Sequence, residues 1–261
     1  MILRRLALVV ALLCAAGPAA AALAPSALSK AEAAPPPDAR LPEGLVLTDQ
    51  TGRPAALGPS SAPTLLIFAD YTCRHICGSA LTLTAAALEG AGLTPGRDVR
   101  FAVVGLDPKD GPAAAQAMAD KRLADMPEIA RATLLLSGDQ EAVGRLERAF
   151  GYRAEYDPET DQFAHQAAAF LLTPDGRLSD VLSEIALTPE TLRAKVEAAA
   201  AGATTGSPGL VSRAISLCYG FAAAHGLHSE AVIVGLRGAA LGFCALMGLA
   251  VWRLVRRRAA A

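Results

Sequence analysis

The stretch from Pro63 to Leu88 constrains the fold more than any other part of the chain. Its first part, Pro63–Phe68, is apolar and predicts a buried strand, and its last part, Ser79–Leu88, predicts a helix. Two cysteines, Cys73 and Cys77, lie between them, so the strand-to-helix turn carries two thiols. The amides and the positive dipole end at a helix N-terminus favour thiolate, the form that attacks disulfides and binds soft metals. We therefore expect the chemistry of the chain at this turn.

The spacing of Cys73 and Cys77 permits a disulfide and suits a metal. If both residues were helical, their Cβ atoms would lie about 5–6 Å apart, whereas a disulfide needs about 3.5–4.5 Å. The pair can therefore close only if Cys73 lies in the loop before the helix. Two metal–sulfur bonds of about 2.3 Å, the zinc–thiolate length, tolerate the wider gap. A purely structural disulfide is the alternative, although so short a loop gains little loop-closure entropy and hence little stability.

Apolar runs and helical segments alternate through the rest of the domain. The pattern predicts a strand and turn at Leu45–Pro54 and strands at Val99–Leu106, Ala132–Leu136, His165–Leu172 and Leu178–Leu182. It predicts helices at Pro112–Leu123, at Asp139–Phe150 with Gly138 or Asp139 as N-cap, and at Pro189–Ala201 with Thr188 as N-cap. We expect the acidic part of the polar segment between Tyr152 and Phe163 to be a solvated loop. This order predicts an α/β sandwich, mainly one sheet with helices on both faces.

Both ends of the chain are expected to lie outside this domain. Residues Met1–Ala24 have the basic, apolar and small-residue order of a secretory signal, with an uncleaved N-terminal anchor as the alternative. The run Ala231–Trp252 is apolar except for Arg237 and long enough for the ~20 residues of a membrane span. A buried amphipathic helix is the competing interpretation, but the run has no polar face. The basic residues of Arg253–Arg258 predict a C-terminus on the cytoplasmic side.

We therefore predict a single-pass protein of the inner (cytoplasmic) membrane, with its domain facing the periplasm or the cell exterior. The predicted order is signal peptide 1–24, spacer 25–40, domain 41–201, linker 202–230, transmembrane helix 231–252 and basic cytoplasmic tail 253–261. A formal net charge of -1 gives no reason to expect nucleic acid as a partner. Removal of the signal, which contains Cys14, would leave Cys73, Cys77, Cys218 and Cys244 of the five cysteines, too few for a disulfide scaffold.

Three motifs, taken in their order along the chain, resemble one known family. They are Tyr71-Thr72-Cys73-x-x-x-Cys77, Gly105-Leu106-Asp107-Pro108, and His165 followed by Leu171, Pro174, Gly176 and Arg177. On these motifs the chain from about Leu45 to Ala201 resembles the Sco/SenC proteins. These are thioredoxin-like domains tethered to a membrane and associated with copper delivery to the binuclear copper site of cytochrome c oxidase. The resemblance implies two partners, the copper-binding subunit of that oxidase and a copper donor protein.

The resemblance implies that Cys73, Cys77 and His165 form a copper site of two thiolates and one imidazole. Ligand softness supports copper independently, because thiolates select Cu(I) and an added imidazole also suits Cu(II). Zinc fits less well because it usually takes four ligands. For His165 the alternative is a histidine that is hydrogen-bonded at the start of a strand. Asp107 is expected to be a turn residue, although the family match makes it a candidate for supporting the site or contacting a partner.

The leading alternative function is a thiol–disulfide oxidoreductase in which Cys73 and Cys77 are the redox pair. Thioredoxin-type enzymes carry C-x-x-C and usually a cis proline at the facing strand, and this chain has neither pattern. The enzymatic interpretation that remains is that the chain reduces a partner's copper-binding cysteines. Family members commonly have proline after each cysteine, whereas this chain has Arg74 and Gly78. His75, between the cysteines, is either a further ligand or a solvated residue at the helix start.

Overall fold

The computed structural model describes residues 30–73, 77–184 and 187–204 of the chain. Within these ranges the strands are β1 (Glu32–Ala33), β2 (Val46–Asp49), β3 (Pro54–Ala56), β4 (Thr64–Ala69), β5 (Arg100–Gly105), β6 (Leu134–Ser137), β7 (Tyr152–Arg153), β8 (Glu155–Asp157), β9 (Gln162–Ala164), β10 (Ala168–Leu172) and β11 (Leu178–Ser183). The helices of the same ranges are α1 (Cys77–Gly90), α2 (Pro112–Arg122), α3 (Pro127–Ala132), α4 (Gln140–Ala149) and α5 (Pro189–Ala200).

A mixed seven-stranded sheet forms the centre of the domain, in the order β11-β10-β4-β5-β6-β2-β3. Strands β4, β5 and β6 run parallel, whereas β10 and β11 at one edge and β2 and β3 at the other are antiparallel to their neighbours. Every residue of β4 is buried, as expected for a strand with helices on both faces. The predicted α/β sandwich is therefore confirmed.

Alternate residues of the central strands feed two separate hydrophobic cores. On one face Leu65 and Ile67 of β4 pack with residues of α1, α2, α3 and α5. On the other face Leu66 and Phe68 pack with residues of α4 and with Phe170 of β10. Full burial of a side chain of this size contributes about 1.5–3 kcal/mol relative to exposure. These two cores fix the strands, and with them the loops that leave the sheet.

The strand directions bring the cysteine turn and the histidine segment to one edge of the sheet. The parallel register pairs Ala69 with Gly105, so the loops after β4 and β5 leave side by side. Strand β10 is antiparallel to β4, with Ala169 opposite Ile67. The residues that precede β10 therefore lie beside the residues that follow β4. His165 precedes β10, and Cys73 follows β4.

The N-terminal part of the described chain differs from the predicted flexible spacer at 25–40. From residue 32 onward it packs against the domain, because β1 pairs with β7 in antiparallel register. The Ala34 amide also donates a hydrogen bond to the Gly151 carbonyl at 2.9 Å. Gly151 has a positive φ of 53°, and a side chain there would overlap the Ala34 backbone. The close approach of these two chain segments therefore requires glycine.

The segment from Tyr152 to Phe163 is also more ordered than the sequence predicted. It contains β7 and a hairpin of β8 and β9, in which Asp157 and Gln162 are buried. The solvated-loop prediction for its acidic part is therefore wrong. His165 lies in the loop between β9 and β10, because β10 begins only at Ala168. The prediction of a strand from His165 onward was three residues too early.

Several other predicted features fall outside the described residues. These are the signal segment 1–24, most of the linker, the apolar run 231–252 with Arg237 and Cys244, the basic tail 253–261, and Cys218. Among the helices of the described ranges, none combines the length and the apolar character that crossing a membrane requires.

Candidate metal centre

Asp70 connects the cysteine turn to the segment that leads to His165. It follows β4 directly and is 1% exposed. Its Oδ1 accepts hydrogen bonds from the Thr72 amide at 3.0 Å and the Thr72 hydroxyl at 3.1 Å, and its Oδ2 accepts one from the Phe163 amide at 2.9 Å. Its backbone carbonyl accepts from the Cys73 amide at 3.1 Å. One buried carboxylate thus fixes the start of the turn and strand β9 against each other.

No role was predicted for Asp70 from the sequence. The signal that pointed to it was an ionisable residue directly after a fully apolar strand, because a carboxylate buried there has to find several donors. Its distant donor is the Phe163 amide, 93 residues further along the chain. Spacing within the motif does not reveal such a partner.

The two cysteines occupy the positions that the turn prediction required. Cys73 lies in the loop before α1, is half-buried and packs against the core on the α1 face. Cys77 is the first residue of α1, a helix of 14 residues, so it lies at the positive end of the helix dipole. The side chain of Cys77 and residues 74–76, including His75, lie outside the described part of the chain. The loop position of Cys73 meets the geometric condition for a disulfide and also suits a shared metal.

Nδ1 of His165 contacts two oxygen atoms. It lies 2.8 Å from the Tyr152 hydroxyl oxygen and 3.2 Å from the Gln166 carbonyl oxygen, and the Tyr152 hydroxyl lies 2.8 Å from that same carbonyl oxygen. The hydroxyl proton can be donated to the carbonyl oxygen or to Nδ1, and the tautomer of the ring follows from which of these bonds forms. When the hydroxyl donates to the carbonyl oxygen, Nδ1 carries the ring proton and the lone pair is on Nε2, as in a histidine that ligates a metal.

Burial also favours the neutral form of His165 that a metal requires. Burial lowers the pKa of His165, while the hydrogen bond to Gln166 and the negative charge of Asp70 act in the opposite direction. Asp70 therefore acts on the imidazole through its charge and on the cysteine turn through its hydrogen bonds.

Tyr152 is a second residue of the site that the sequence analysis missed. Its ring stacks on Phe68 of β4 with centroids 4.4 Å apart and meets the edge of Phe170 at 5.7 Å. The hydroxyl that contacts His165 is therefore held by the hydrophobic core. A lone tyrosine at the end of a helix gave no sequence signal for this role, because its partner lies 13 residues later in a different element.

Tyr71, next to the cysteine turn, has a packing role. Its hydroxyl lies 3.0 Å from the Val103 carbonyl oxygen and 2.9 Å from the Leu136 carbonyl oxygen, and burial raises the pKa of the phenol. Its ring lies against Gly105, where a Cβ atom would come within 2.7 Å of the ring. The glycine of the Gly105-Leu106-Asp107-Pro108 motif therefore makes room for the tyrosine of the cysteine motif.

Asp107 behaves as the turn residue that the sequence predicted. Its Oδ1 accepts a hydrogen bond from the Lys109 amide at 2.8 Å, and its Oδ2 lies 3.3 Å from the Lys109 ammonium group. The same ammonium group lies 2.8 Å from Asp161 in the turn between β8 and β9. Lys109 therefore links the loop after β5 to the β8–β9 hairpin beside the site.

Asp110 adds a third carboxyl group to this edge of the sheet. Burial, helped by the charges of Asp70 and Asp107, raises the pKa of Asp110 to about 6, and hydrogen bonding with Thr72 opposes the rise. Asp110 Oδ2 is buried without a hydrogen-bond partner in the part of the chain that the structure describes. The site edge thus combines two thiols and an imidazole with carboxyl groups that hold its loops.

The donor set fits a soft metal. The described residues alone contain no group of three or more histidine, cysteine, aspartate or glutamate side chains able to hold a metal ion, and one member of the candidate set, the Cys77 side chain, lies outside them. Two thiolates with a neutral imidazole suit copper in both oxidation states. The carboxyl groups nearby are engaged by backbone amides, by Thr72 and by Lys109.

The fold and the site define a class of protein, namely a thioredoxin-like α/β domain in which a turn with two cysteines lies beside a loop with a histidine. The model of the SCO1/SenC family matches residues 35–201. The chain therefore belongs to the SCO1/SenC family. A comparison with curated proteins found no match.

Solved structures agree with this fold. A putative electron transfer protein from Aquifex aeolicus VF5 is 18% identical, with a TM-score of 0.52 over 63% of this chain and 94% of that one. A SCO1/SenC family lipoprotein from Bacillus anthracis is 22% identical, with a TM-score of 0.52 over 62% and 96% of the two chains. ScoI of Bradyrhizobium japonicum, solved with copper bound, is 24% identical, with a TM-score of 0.49 over 59% and 95%.

Proposed function

We propose that this chain binds copper and delivers it to, or prepares, the binuclear copper site of cytochrome c oxidase. Membership of the SCO1/SenC family supports this role, and a related structure is described as a member of the Sco family of cytochrome c oxidase assembly proteins. The observation that carries the proposal is the environment of His165. Tyr152 and Gln166 engage its Nδ1, which suits a ring that ligates a metal through Nε2, at the sheet edge where Asp70 anchors the cysteine turn.

Each proposed ligand has a separate task. The sulfurs of Cys73 and Cys77 hold Cu(I), because soft thiolates prefer the soft ion. Nε2 of His165 completes the set and matters most for Cu(II), which imidazole binds well. In this proposal Asp70 binds no copper. Its hydrogen bonds hold the turn that carries the sulfurs next to the segment that leads to the imidazole.

We also propose that the domain works outside the cytoplasm while the chain stays anchored in the inner membrane. The signal-like segment 1–24, the apolar run 231–252 and the basic tail 253–261 support this arrangement. The partners are then the copper-binding subunit of the oxidase and a copper donor protein on the same side of the membrane.

Metal analysis of the reduced full-length chain, purified without oxygen, tests the proposal. We expect one copper per chain, with X-ray absorption showing a shell of two sulfur atoms and one nitrogen atom. Conversion of both Cys73 and Cys77 to serine should abolish this copper. Reduced wild-type protein that stays copper-free when copper is offered would contradict the proposal.

A His165→Ala variant tests the ligand assignment. Affinity for Cu(II) should fall more than affinity for Cu(I), because two thiolates are enough to retain Cu(I). Competition with a chelator of known affinity for each oxidation state measures the difference. Equal losses for both ions would remove His165 from the ligand set.

A thiol–disulfide reductase is the second candidate function, because Cys77 begins α1 and so lies where a helix dipole favours thiolate. In this case the dithiol reduces the oxidised copper-site cysteines of the partner, and its own pair becomes the disulfide. Turnover on an oxidised peptide that carries the partner's copper-site cysteines distinguishes the two functions. Turnover by metal-free protein favours the reductase, and copper transfer without turnover favours the chaperone.

A further inference from the structure

Three arginines surround a shallow pocket of about 450 Å³ between the segment that precedes β2 and the last turns of α4, which we call the arginine pocket. They are Arg40, Arg145 and Arg148, and one acidic residue, Glu43, also lines the pocket. The Arg145 guanidinium group donates a hydrogen bond to the Glu43 backbone carbonyl at 2.6 Å. Arg148 folds back over Gly144, with Nη1 3.1 Å from the place that a Cβ atom there would occupy. These contacts hold two of the cations at the pocket.

The positive charge of the arginine pocket is not neutralised within the described part of the chain. None of the ion pairs among the described residues includes Arg40, Arg145 or Arg148, and Glu43 offsets at most one of the three charges. Arg145 and Arg148 lie three residues apart on α4, where like charges are neighbours and repel each other. An anion would relieve this repulsion. Guanidinium groups match the oxygen atoms of phosphate with paired hydrogen bonds, so the pocket suits a phosphate group.

The arginine pocket lies at the end of the sheet opposite the candidate metal centre. Arg40 forms a β-bridge with Arg177, the residue directly before β11. The other end of β11, Ser183, pairs with Ala168 at the start of β10. His165 lies in the loop just before Ala168. The length of β11 therefore separates the pocket from the imidazole.

The last described residues of the chain lie at the same end of the sheet as the arginine pocket. The Ser179 hydroxyl donates a hydrogen bond to the Ala203 carbonyl at 2.6 Å. A Cβ atom built on Gly202 would lie 4.0 Å from the Arg177 guanidinium group, and Arg177 is the bridge partner of Arg40. The chain thus leaves the domain beside the pocket and continues towards the apolar run 231–252.

We propose that the arginine pocket binds the phosphate groups of anionic phospholipids in the membrane that anchors the chain. This inference rests on the membrane anchorage put forward above. The positive charge and the position beside the departing chain both favour a lipid headgroup as the occupant. Contact at this end of the sheet turns the opposite end, with Cys73 and His165, away from the bilayer and towards protein partners.

The primary test measures how fast phenylglyoxal modifies individual guanidinium groups of the full-length chain in lipid nanodiscs. Peptide mass spectrometry reports the rate at each arginine. In discs of phosphatidylcholine mixed with phosphatidylglycerol, Arg145 and Arg148 should react about 3- to 10-fold more slowly than in discs of phosphatidylcholine alone, because bound phosphate shields them. The difference should shrink in high salt, which screens exposed charges.

Two other arginines of the same chain provide the internal control. Arg53 and Arg131 are exposed and already lie near the carboxylates of Asp49 and Glu128. Their rates should differ less than about 2-fold between the two discs. Equal slowing of all four arginines would show a general attraction to the charged surface and would overturn the pocket. Unchanged rates at Arg145 and Arg148 would overturn it as well.

Inorganic phosphate distinguishes a free ion from a lipid headgroup. Added to phosphatidylcholine discs at the concentration of the anionic lipid in the mixed discs, it should change the Arg145 and Arg148 rates less than about 2-fold. The lipid protects better because the anchor keeps it at a high effective concentration. Protection by free phosphate as strong as that by the lipid would overturn the assignment to a headgroup.

A pair of double variants tests the same contact through stability. The wild-type domain should melt about 2–4 °C higher in the mixed discs than in phosphatidylcholine discs, because a ligand of the folded state stabilises it. Arg145→Gln with Arg148→Gln should abolish this rise. Arg53→Gln with Arg131→Gln removes the same charge and should keep it. A rise that survives in the pocket variant would contradict the proposal.

These measurements do not involve copper, so they separate the lipid site from the proposed function. A chain that binds copper and stays in the membrane but shows equal Arg145 and Arg148 rates in the two discs would lose only the lipid site. A chain without a membrane anchor would fail the proposed anchorage. Vesicles with phosphatidylglycerol that still protected Arg145 and Arg148 of that chain would support the lipid site on its own.

Discussion

Glu184 keeps its proton at neutral pH because the fold buries its carboxyl group. It follows β11, is 1% exposed, and its Oε1 has no hydrogen-bond partner among the described residues. Burial raises the pKa of Glu184 to about 8. Its amide donates to the Ala167 carbonyl at 3.1 Å, which places it at the same sheet edge as His165. This residue therefore connects the stability of that edge to pH.

The stability of the wild-type chain should fall as the pH rises from about 4.5 to about 8. The folded state holds the Glu184 proton up to about pH 8, whereas the unfolded state releases it near the ordinary value of 4.5. Each unit of pKa difference corresponds to about 1.4 kcal/mol. Asp110, with a pKa raised to about 6, acts in the same direction over a narrower range.

Glu184→Gln removes the titrating group at nearly constant volume and should flatten this dependence. Urea unfolding of both proteins at about pH 5 and about pH 8 measures the free energy of unfolding. The decrease in the free energy of unfolding from about pH 5 to about pH 8 should be smaller in the variant. The difference should be several kcal/mol at most, in line with the size of the pKa shift. Parallel curves for the two proteins would show that Glu184 is not the group responsible.

Tyr152→Phe should weaken Cu(II) binding by about 10-fold, because the hydroxyl that contacts Nδ1 of His165 and orients the ring is lost. The fold should be retained, since the phenyl ring still stacks on Phe68. Chelator competition measures the affinity. The matched control is Tyr156→Phe, the same chemical change at a tyrosine that is 42% exposed and contacts Asp161 instead. Equal affinities for both variants would mean that His165 needs no such orientation.

At the scale of secondary-structure elements, Asp70 connects the cysteine turn to β9, so its replacement should affect both. Asp70→Asn keeps the shape but replaces one accepting oxygen with an amide nitrogen, so either the Thr72 or the Phe163 amide loses its acceptor. We expect unfolding to require about 1–3 kcal/mol less free energy.

Hydrogen exchange distinguishes this local effect from general destabilisation. The Thr72 and Phe163 amides should exchange faster in Asp70→Asn. They should be unaffected beyond the global change in Asp180→Asn, which alters another buried aspartate, one that pairs with Lys195. Faster exchange in both variants by the same factor would argue against a coupling of the turn to β9.

Elements with strong local signals were predictable from the sequence. Thr188 was expected as an N-cap, and either Gly138 or Asp139 was expected at the start of α4. The structure has Thr188 and Asp139, whose side chains accept hydrogen bonds from the Thr191 and Ala142 amides. The β8–β9 hairpin was missed because acidic residues normally indicate a solvated loop. Here Asp157 accepts a hydrogen bond from the Glu159 amide within the turn. Helix α3 was not predicted, because it is only six residues long and leads directly into the predicted apolar strand.

The site shows the same division between local and distant information. Cys73 and Cys77 were found because strand, turn and helix signals adjoin each other in the sequence. Asp70 and Tyr152 were not, since each acts on a residue in another element. Local patterns predict the position of a turn, but the groups that support it are decided by which strands become neighbours.

At the scale of the whole molecule, the first residues that the structure describes are part of the domain and not a detached tether. Strand β1 lies on β7, and β7 includes Tyr152, whose hydroxyl orients His165. The pairing of segments so far apart in sequence was not predictable from either of them. The segment that can act as a spacer before the domain is therefore shorter than the predicted range 25–40.

The proposed anchor makes a prediction about the complete chain. A full-length chain should remain in the membrane fraction after an alkaline wash, whereas one that lacks residues 205–261 should be released. The control is a chain that lacks only 253–261, which should stay with the membrane because the apolar run alone is long enough to span it. Release of the full-length chain by the wash would contradict a C-terminal span.

The antiparallel placement of β10 beside β4 determines when the proposed copper site can form. The sulfur atoms belong to the first half of the sheet, and the imidazole arrives only when a strand made much later inserts next to it. A chain that has been made only as far as α1 would carry both thiols but not the imidazole of the proposed copper site. If the proposed function holds, copper that needs all three ligands is bound only by molecules in which β10 has joined the sheet.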